Sequence, residues 1–549
     1  MQAATRKDPA LRSLVLIFLL SHVFILLNRS VGWDGYFLIN GTHENLRKGF
    51  LAYGLFLFGD LHFALTRLFA EPVLTYNIVV FLLTLLAAMV GYIILKRIPL
   101  FTKEDAFFIS ALAITAPYLY FNLIGVTAIL FYAVFLLGLF CIVQYKSTRR
   151  VIYRISSLVL FFLSFFYHSH ITYYLLALLL LWHYRPQPSF WRFLRANIDF
   201  LMLPVLFVVF QKTAFYLYSG FKVTEYNQIS LESLLNFPRA LAVSFRDSFL
   251  RLFGIAGNLL LDWAYLSLFI VLFALLYVIV LMKIPGAGSQ SSTSEGRRRA
   301  LFFVTLGFTV FLLGALPFSL VFKPVIFYPN GATWMHQCNL YLGAALLLYG
   351  LVSLLGSGRV RAMLVCAIVS VFILAGFRSF LLHNKQWLKE ESIVVNFRKT
   401  DPIRSGRSFL IDDNVKELNS SHLIQFFTFN ALMKRAFEDE TRFAVTRDEM
   451  RSWLTHPEIF DSTIFDPSRR EFAMSDYVPQ RFQYNVKIEK GKGELADFKA
   501  VKLLWYSWFD KNRFNAEIAD VVSLRIFPCT GCPAIAPTGI SLNKTSIGK

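Results

Sequence analysis

Charge is scarce in this chain: Asp, Glu, Lys and Arg make up 16% of its 549 residues, where soluble domains carry about 25%. A sequence that is also 56% hydrophobic, with a mean hydropathy of +0.53, has too little polar surface to clothe a set of water-soluble domains. Acids are the scarcer sign, 35 against 55 Lys and Arg, and the net charge is +20. Many of those cations sit in short links between apolar runs, so they read as orientation charge and not as a nucleic-acid face. Five cysteines exclude a disulfide framework; Cys141, Cys338 and Cys366 fall inside apolar runs, where a thiol behaves as a small hydrophobe. Gly491-Lys492-Gly493 lacks the spacing and strand–helix setting of a P-loop, and no other ATP-binding motif or tandem repeat stands in for one.

What the chain has is apolar runs of membrane length, recurring up to about residue 380. The first, Leu11 to Leu27, follows Arg6, Lys7 and Arg12 and has no small-residue cleavage site, which predicts a retained signal anchor with its N-terminus in the cytoplasm. Further spans are predicted at 73–95, 106–121, 125–145, 151–167, 171–183, 200–218, 263–282, 301–322, 338–355 and 362–382, about eleven in all. The links this assigns to the inside hold the Lys and Arg excess, and an odd count puts the tail outside. The expectation is a polytopic α-helical membrane protein of the plasma membrane, with a transmembrane domain over 1–383 and an extracytoplasmic domain over 384–549. Phe50 to Glu71 carries Asp60, His62, Arg67 and Glu71, and crossing there would invert every later link. It is therefore laid flat at the outer interface, with Asp60, Arg67 and Glu71 on one helical face. The Gly/Ser-rich stretch 285–295 reads as an inner connector.

In the tail, strands are expected at 408–411, 442–445, 484–488, 501–505 and 522–527, with a helix over 421–437, giving a small α/β or α+β domain. The first strand runs into Asp412-Asp413-Asn414. Cys529-Thr530-Gly531-Cys532 has no second pair to complete a zinc site and reads as a local disulfide. Sequons at Asn28, Asn40, Asn419 and Asn543 all fall on the predicted outer side.

The middles of the spans are almost free of charge, and the ionisable groups gather toward the outer ends, where a site is to be sought. The first outer loop sets Asp34 among Trp33, Tyr36 and Phe37, with His43 and Glu44 following and Asp60 on the flat segment. Asp34 is the first candidate for a general base and Asp60 the second; the alternative makes the aromatics interface anchors and Asp34 merely solvated. His168 and His170, at the end of a helix pair, could meet a phosphate or a metal, or be simple helix-end polarity. Lys212 lies inside an apolar run, either snorkelling or as a phosphate contact with Lys222, Arg239, Arg246 and Arg251 as companions. His336, in Trp334-Met335-His336-Gln337, leads into a late span.

With an acidic residue in the first outer loop (Asp34), a flat segment bearing Asp60 and Arg67, aromatic-rich helix pairs and the His336 region before a late span, the layout resembles the GT-C superfamily of integral-membrane glycosyltransferases, of the bacterial surface-polysaccharide type. The resemblance covers the general layout of the chain. It implies a polyprenyl-phosphate-linked sugar as donor, a lipid-linked glycan or protein as acceptor, and inversion at the anomeric carbon. Glu44, Arg67, His168, His170, Lys212, Arg246, Arg251 and His336 would then contact substrate. Many such enzymes carry paired acids in the first loop; Asp34 stands alone before Gly35, so no divalent metal or other cofactor is called for. Two rivals remain, a polysaccharide polymerase or ligase and a transporter or flippase component.

Overall fold

The computed structural model describes residues 8–32, 35–52, 54–55, 57–116, 123, 125–184, 189–218, 229–283, 294–323, 334–356, 358–420, 424–455 and 481–530. Asp34, Lys222, Cys532, Asn543 and most of the Gly/Ser-rich stretch lie outside them, as does the side chain of His336. The chain divides into two compact units, one of Met1–Asn28 with Thr42–Phe380, the other of Arg29–Gly41 with Leu381–Lys549.

The first unit is helical. Its helices are α1 (Pro9–His22), α2 (His43–Ala52), α3 (Phe58–Leu68), α4 (Pro72–Arg97), α5 (Lys103–Thr115), α6 (Gly125–Thr148), α7 (Val151–Ser164), α8 (His170–His183), α9 (Ile198–Tyr218), α10 (Trp263–Lys283), α11 (Ser294–Leu320), α12 (Tyr341–Leu355) and the start of α13 (Gly358–Lys399). Six helices among the described residues are long and apolar enough to cross a membrane, seven if Phe190–Ala196 and the following helix, bent by 58°, form one span. The protein is a polytopic helical membrane protein. The expected spans over 106–121, 151–167, 171–183 and 338–355 correspond to shorter helices. α5, with 13 residues, is about 20 Å long, against about 30 Å of hydrocarbon.

Helix starts follow from local chemistry. Asp8 accepts from the Ala10 N–H, with Pro9 opening α1. Thr102 and Asp105 cap α5 reciprocally, each side chain taking the other's backbone N–H. The predicted shared face of Asp60, Arg67 and Glu71 is corrected at one position: α3 ends at Leu68, and Glu71 is the N-cap of α4. Pro72 explains the break, because a residue without an N–H fits the first turn of a new helix and not the interior of an old one.

α11 and α12 pack backbone to backbone. A Cβ on Gly307 or Gly343 would sit 2.3 Å from the nitrogen of Leu347 or Phe311, and Gly314 and Gly350 repeat the approach seven residues on. Small residues at a helix interface are how apolar helices gain contact in lipid, where burial alone gives no preference. At the far end of this pair, Asp105 accepts from Tyr349 Oη (2.6 Å) and pairs with Arg299, while Glu104 pairs with Arg361 (2.6 Å). α5 is thereby held to α11, α12 and α13 by side chains that leave few bare charges.

The second unit is an α/β domain. Strands β1 (Ser408–Asp413), β2 (Phe443–Thr446), β3 (Tyr484–Lys490) and β4 (Val522–Pro528) form a sheet in the order β2-β1-β3-β4. β1 is parallel to both neighbours, with Ser408 opposite Phe443 and Phe409 opposite Tyr484; β4 is antiparallel to β3. Buried along most of its length, β1 carries the apolar run Phe409-Leu410-Ile411 expected of a central parallel strand, before its two terminal aspartates. α14 (Phe426–Phe437), α15 (Arg447–Thr455), α16 (Asp497–Phe509) and α17 (Lys511–Ile518) connect the strands. The strand expected at 501–505 is a correction: those residues lie within α16, whose buried Ala500, Leu503, Leu504 and Ser507 follow the helical period. Cys529 is disulfide-bonded, and Cys141, Cys338 and Cys366 are reduced thiols outside any disulfide.

Candidate functional site

In the first unit, two short amphipathic helices bring together residues that stand far apart in the sequence. α2 and α3 touch at the backbone, where a Cβ on Gly59 would meet Arg47 Cα at 2.6 Å, so only glycine permits the approach. Across that contact His43 Nε2 lies 2.6 Å from Asp60 Oδ1, with both side chains about half exposed (48% and 47%). His43 stacks on Phe63 (4.6 Å between centroids), and the Arg67 guanidinium lies over the same ring at 5.3 Å. His43 and Arg67 therefore share one aromatic platform, and Asp60 is joined to it through His43. A carboxylate hydrogen-bonded to an imidazole can take a proton from a hydroxyl and share it along the pair. Glu44 instead pairs with Lys48 (2.6 Å), which holds its carboxyl below the usual range.

The other face of α3 is dry. His62 is completely buried, stacked on Phe50 (5.1 Å), with Nδ1 2.8 Å from Tyr76 Oη. Burial pushes its pKa from 6.5 down to about 3. The unfolded chain therefore takes up this proton first: stability from neutral His62 is complete above pH 6.5 and is lost as pH falls toward 3. At most about 1.4 kcal/mol per pH unit is at stake. His62→Phe should flatten the fall of melting temperature between about pH 7 and pH 5 relative to wild type, as scanning calorimetry across that range would record. Equal slopes would mean that His62 is already charged in the fold.

The remaining candidates occupy separate settings. Gln211 Nε2 donates to His168 Nε2 (2.7 Å), and Lys212, one residue on, is exposed on α9. His170 is fully buried: its Nε2 donates to Asn339 Oδ1 (3.0 Å), and the Asn339 amide donates to Ser169 Oγ (3.0 Å). That imidazole is engaged in packing α8 against the turn Trp334–Asn339. Arg246 pairs with its neighbour Asp247 (2.8 Å) and is otherwise exposed, whereas Arg251 is half-buried. Among the described residues no group of three or more His, Cys, Asp or Glu could hold a metal.

Between α4, α5, α6 and the start of α12 runs a narrow apolar groove of about 80 Å³, with Ala87, Ala88, Gly91 and Ala113 giving it width and Thr84, Ser110, Tyr132 and Tyr341 the few polar groups.

The first-loop segment belongs to the second unit. Within it, Tyr36 Oη donates to the buried Glu390 (2.6 Å), whose other oxygen accepts from Gln386 (2.8 Å); Gln386 in turn accepts from Ser420. Burial and the neighbouring Glu390 push the Tyr36 phenol well above its usual range. Arg29 lies over the Trp508 ring at 3.5 Å, and its backbone N–H donates to Asn384 (3.1 Å). Neither this network nor the His43–Asp60 pair was identified from the sequence, since each joins residues with no shared periodicity.

Compared with protein-family models and with curated proteins, the chain matches none.

Proposed function

We propose that the protein is a membrane glycosyltransferase of GT-C layout, which moves a hexose from a polyprenyl phosphate to a lipid-linked glycan or protein acceptor at the outer face of the membrane. The observation that carries this reading is the His43–Asp60 pair, half exposed on short helices of a unit otherwise built from apolar helices. In the reaction, an acceptor hydroxyl oxygen attacks the anomeric carbon, the bond from that carbon to the phosphate oxygen breaks, and the polyprenyl phosphate leaves with the bonding pair. The hydroxyl proton passes to Asp60 and His43, or to Asp34 in the first loop. Charge developing on the leaving phosphate calls for cations, a task for Arg67 beside the pair and for the exposed Lys212 and Arg246. The donor's isoprenoid chain fits the character of the apolar groove.

The test is direct. Full-length protein in lipid nanodiscs is incubated with polyprenyl phosphates carrying radiolabelled glucose, galactose or mannose and with a glycolipid extract of the host envelope. Label moving from donor to acceptor, with release of polyprenyl phosphate, is the expected result. If no donor is consumed, and proteoliposomes instead carry a labelled lipid-linked sugar from one leaflet to the other, the protein is a transporter.

A further inference from the structure

The second unit leaves one helix face apolar and open to solvent. Of the five large apolar side chains exposed among its described residues, Phe498, Val501, Trp505 and Phe509 lie on α16, and Phe527 lies on β4. The four on α16 are spaced three, four and four residues apart, which lines them along one side of the helix. Ala500, Leu503, Leu504 and Ser507, on the opposite side, are buried. α16 is therefore apolar on two faces, and the unit's own core uses one of them. Phe498 is 83% exposed, Phe509 63% and Trp505 59%, with the Trp505 and Phe509 rings 4.2 Å apart between centroids. A helix on the surface of a soluble domain presents charged and polar residues at such positions.

Size, charge and connection decide what covers this face. The exposed aromatics together offer roughly 300–500 Å², taking about 150–250 Å² for a whole aromatic side chain. Patches of that size are often functional, yet this one falls short of the about 800 Å² that each partner gives to a stable protein interface. A lipid surface sets no such minimum, since a helix lying in it inserts a single stripe. The stretch 497–513 holds four cations, Lys499, Lys502, Lys511 and Arg513, against Asp497 and Asp510, and Asp497 is taken by Lys385 (2.6 Å). Lysines beside an apolar stripe can lay their stems along it while their ammonium groups stay level with lipid phosphates. The chain enters this unit through α13, which begins as one of the helices long and apolar enough to cross a membrane. A bilayer is thus always close, and tethering makes even weak insertion count.

We propose that α16 docks on the surface of a lipid bilayer, with Phe498, Val501, Trp505 and Phe509 inserted at the boundary of headgroups and acyl chains and the neighbouring lysines at the phosphates. Docking holds the α/β unit at the membrane–water boundary. The proposal uses no step of sugar transfer and stands or falls apart from it.

Full-length protein in liposomes of phosphatidylcholine and phosphatidylglycerol, spin-labelled at Phe498→Cys or Phe509→Cys, provides the test. Collisions are measured with oxygen, which concentrates in hydrocarbon, and with a water-soluble nickel chelate. Asp401→Cys, in the same unit at a side chain 88% exposed, serves as the water-facing reference, and the unsubstituted chain corrects for labelling of native thiols. Labels at 498 and 509 should report a depth of about 5–10 Å below the phosphates, with an oxygen-to-nickel ratio several-fold above the reference. Adding Phe498→Ser and Trp505→Ser should return the label at 509 to the reference ratio while hydrogen exchange over β1 stays unchanged, because neither side chain belongs to the buried core. Ratios at 498 and 509 equal to the reference would leave the face in water and overturn the proposal. Low collision with both reagents would mean that protein covers the face, which overturns it as well; line broadening that vanishes on dilution with unlabelled chain would identify that protein as a second copy.

Discussion

Asp60→Asn is expected to lower sugar transfer by roughly 10²- to 10⁴-fold, the range lost when a positioned general base is removed. The amide keeps the shape of the carboxylate and can still hydrogen-bond His43, which lies 2.6 Å from Asp60, but it cannot accept the hydroxyl proton. Donor binding should be nearly untouched, because nothing in the pair is needed to hold a phosphate or an isoprenoid chain. His43→Gln should produce a smaller loss, since it removes the relay and leaves the carboxylate. Single-turnover rates with a preloaded donor separate these outcomes from a binding defect. Asp34→Asn measured alongside distinguishes the two carboxylates: a full loss there with a near-normal Asp60→Asn would move the base to the first loop.

Lys389→Met should destabilise the α/β unit by about 3–5 kcal/mol, the cost of leaving a buried charge without its partner. Lys389 is completely buried and donates to both oxygens of Asp413 at 2.7 Å, to the Val415 carbonyl at 2.9 Å and to Asn419 at 2.8 Å. Methionine preserves the stem but strands the Asp413 carboxylate, itself only 7% exposed. The double variant Lys389→Met/Asp413→Leu should recover much of the loss, as apolar replacement of a whole buried pair often does. Hydrogen exchange over β1 and α14 in the full chain reports the unit directly. Protection in Lys389→Met equal to wild type would show that the pair contributes nothing.

The strands at the heart of the tail were legible because Ser408–Ile411, Arg442–Val445, Tyr484–Ile488 and Val522–Phe527 combine β-branched and aromatic residues over strand lengths. The strand expected at Val501–Trp505 is a helix because five residues, Val-Lys-Leu-Leu-Trp, are too few to show a period; only the wider window, with Ala500 and Ser507, shows it. Hydropathy likewise overran α5, since it measures composition and cannot see where the backbone leaves the helix after Thr115. Pro72 was a readable stop that the proposed run to Glu71 passed over. The glycine spacing at 307, 314, 343 and 350 was also readable as a close helix contact. By contrast, the approach of His43 to Asp60, from different helices 17 residues apart, depends on Gly59 admitting Arg47, which no periodicity announces.

The hydrogen bond from Tyr36 to Glu390 joins residues 354 positions apart, and that distance is also a delay. Chains are synthesised at about 5–20 residues per second, so Tyr36 exists for roughly 18–70 s before its partner has been made. Throughout that interval the segment Arg29–Gly41 has emerged without the helix and sheet it belongs to. Its aromatic side chains are therefore exposed to the membrane insertion machinery and to chaperones for most of the life of the nascent chain. Tyr36 is among the first residues made, yet its contact with Glu390 must wait until the chain has reached that residue.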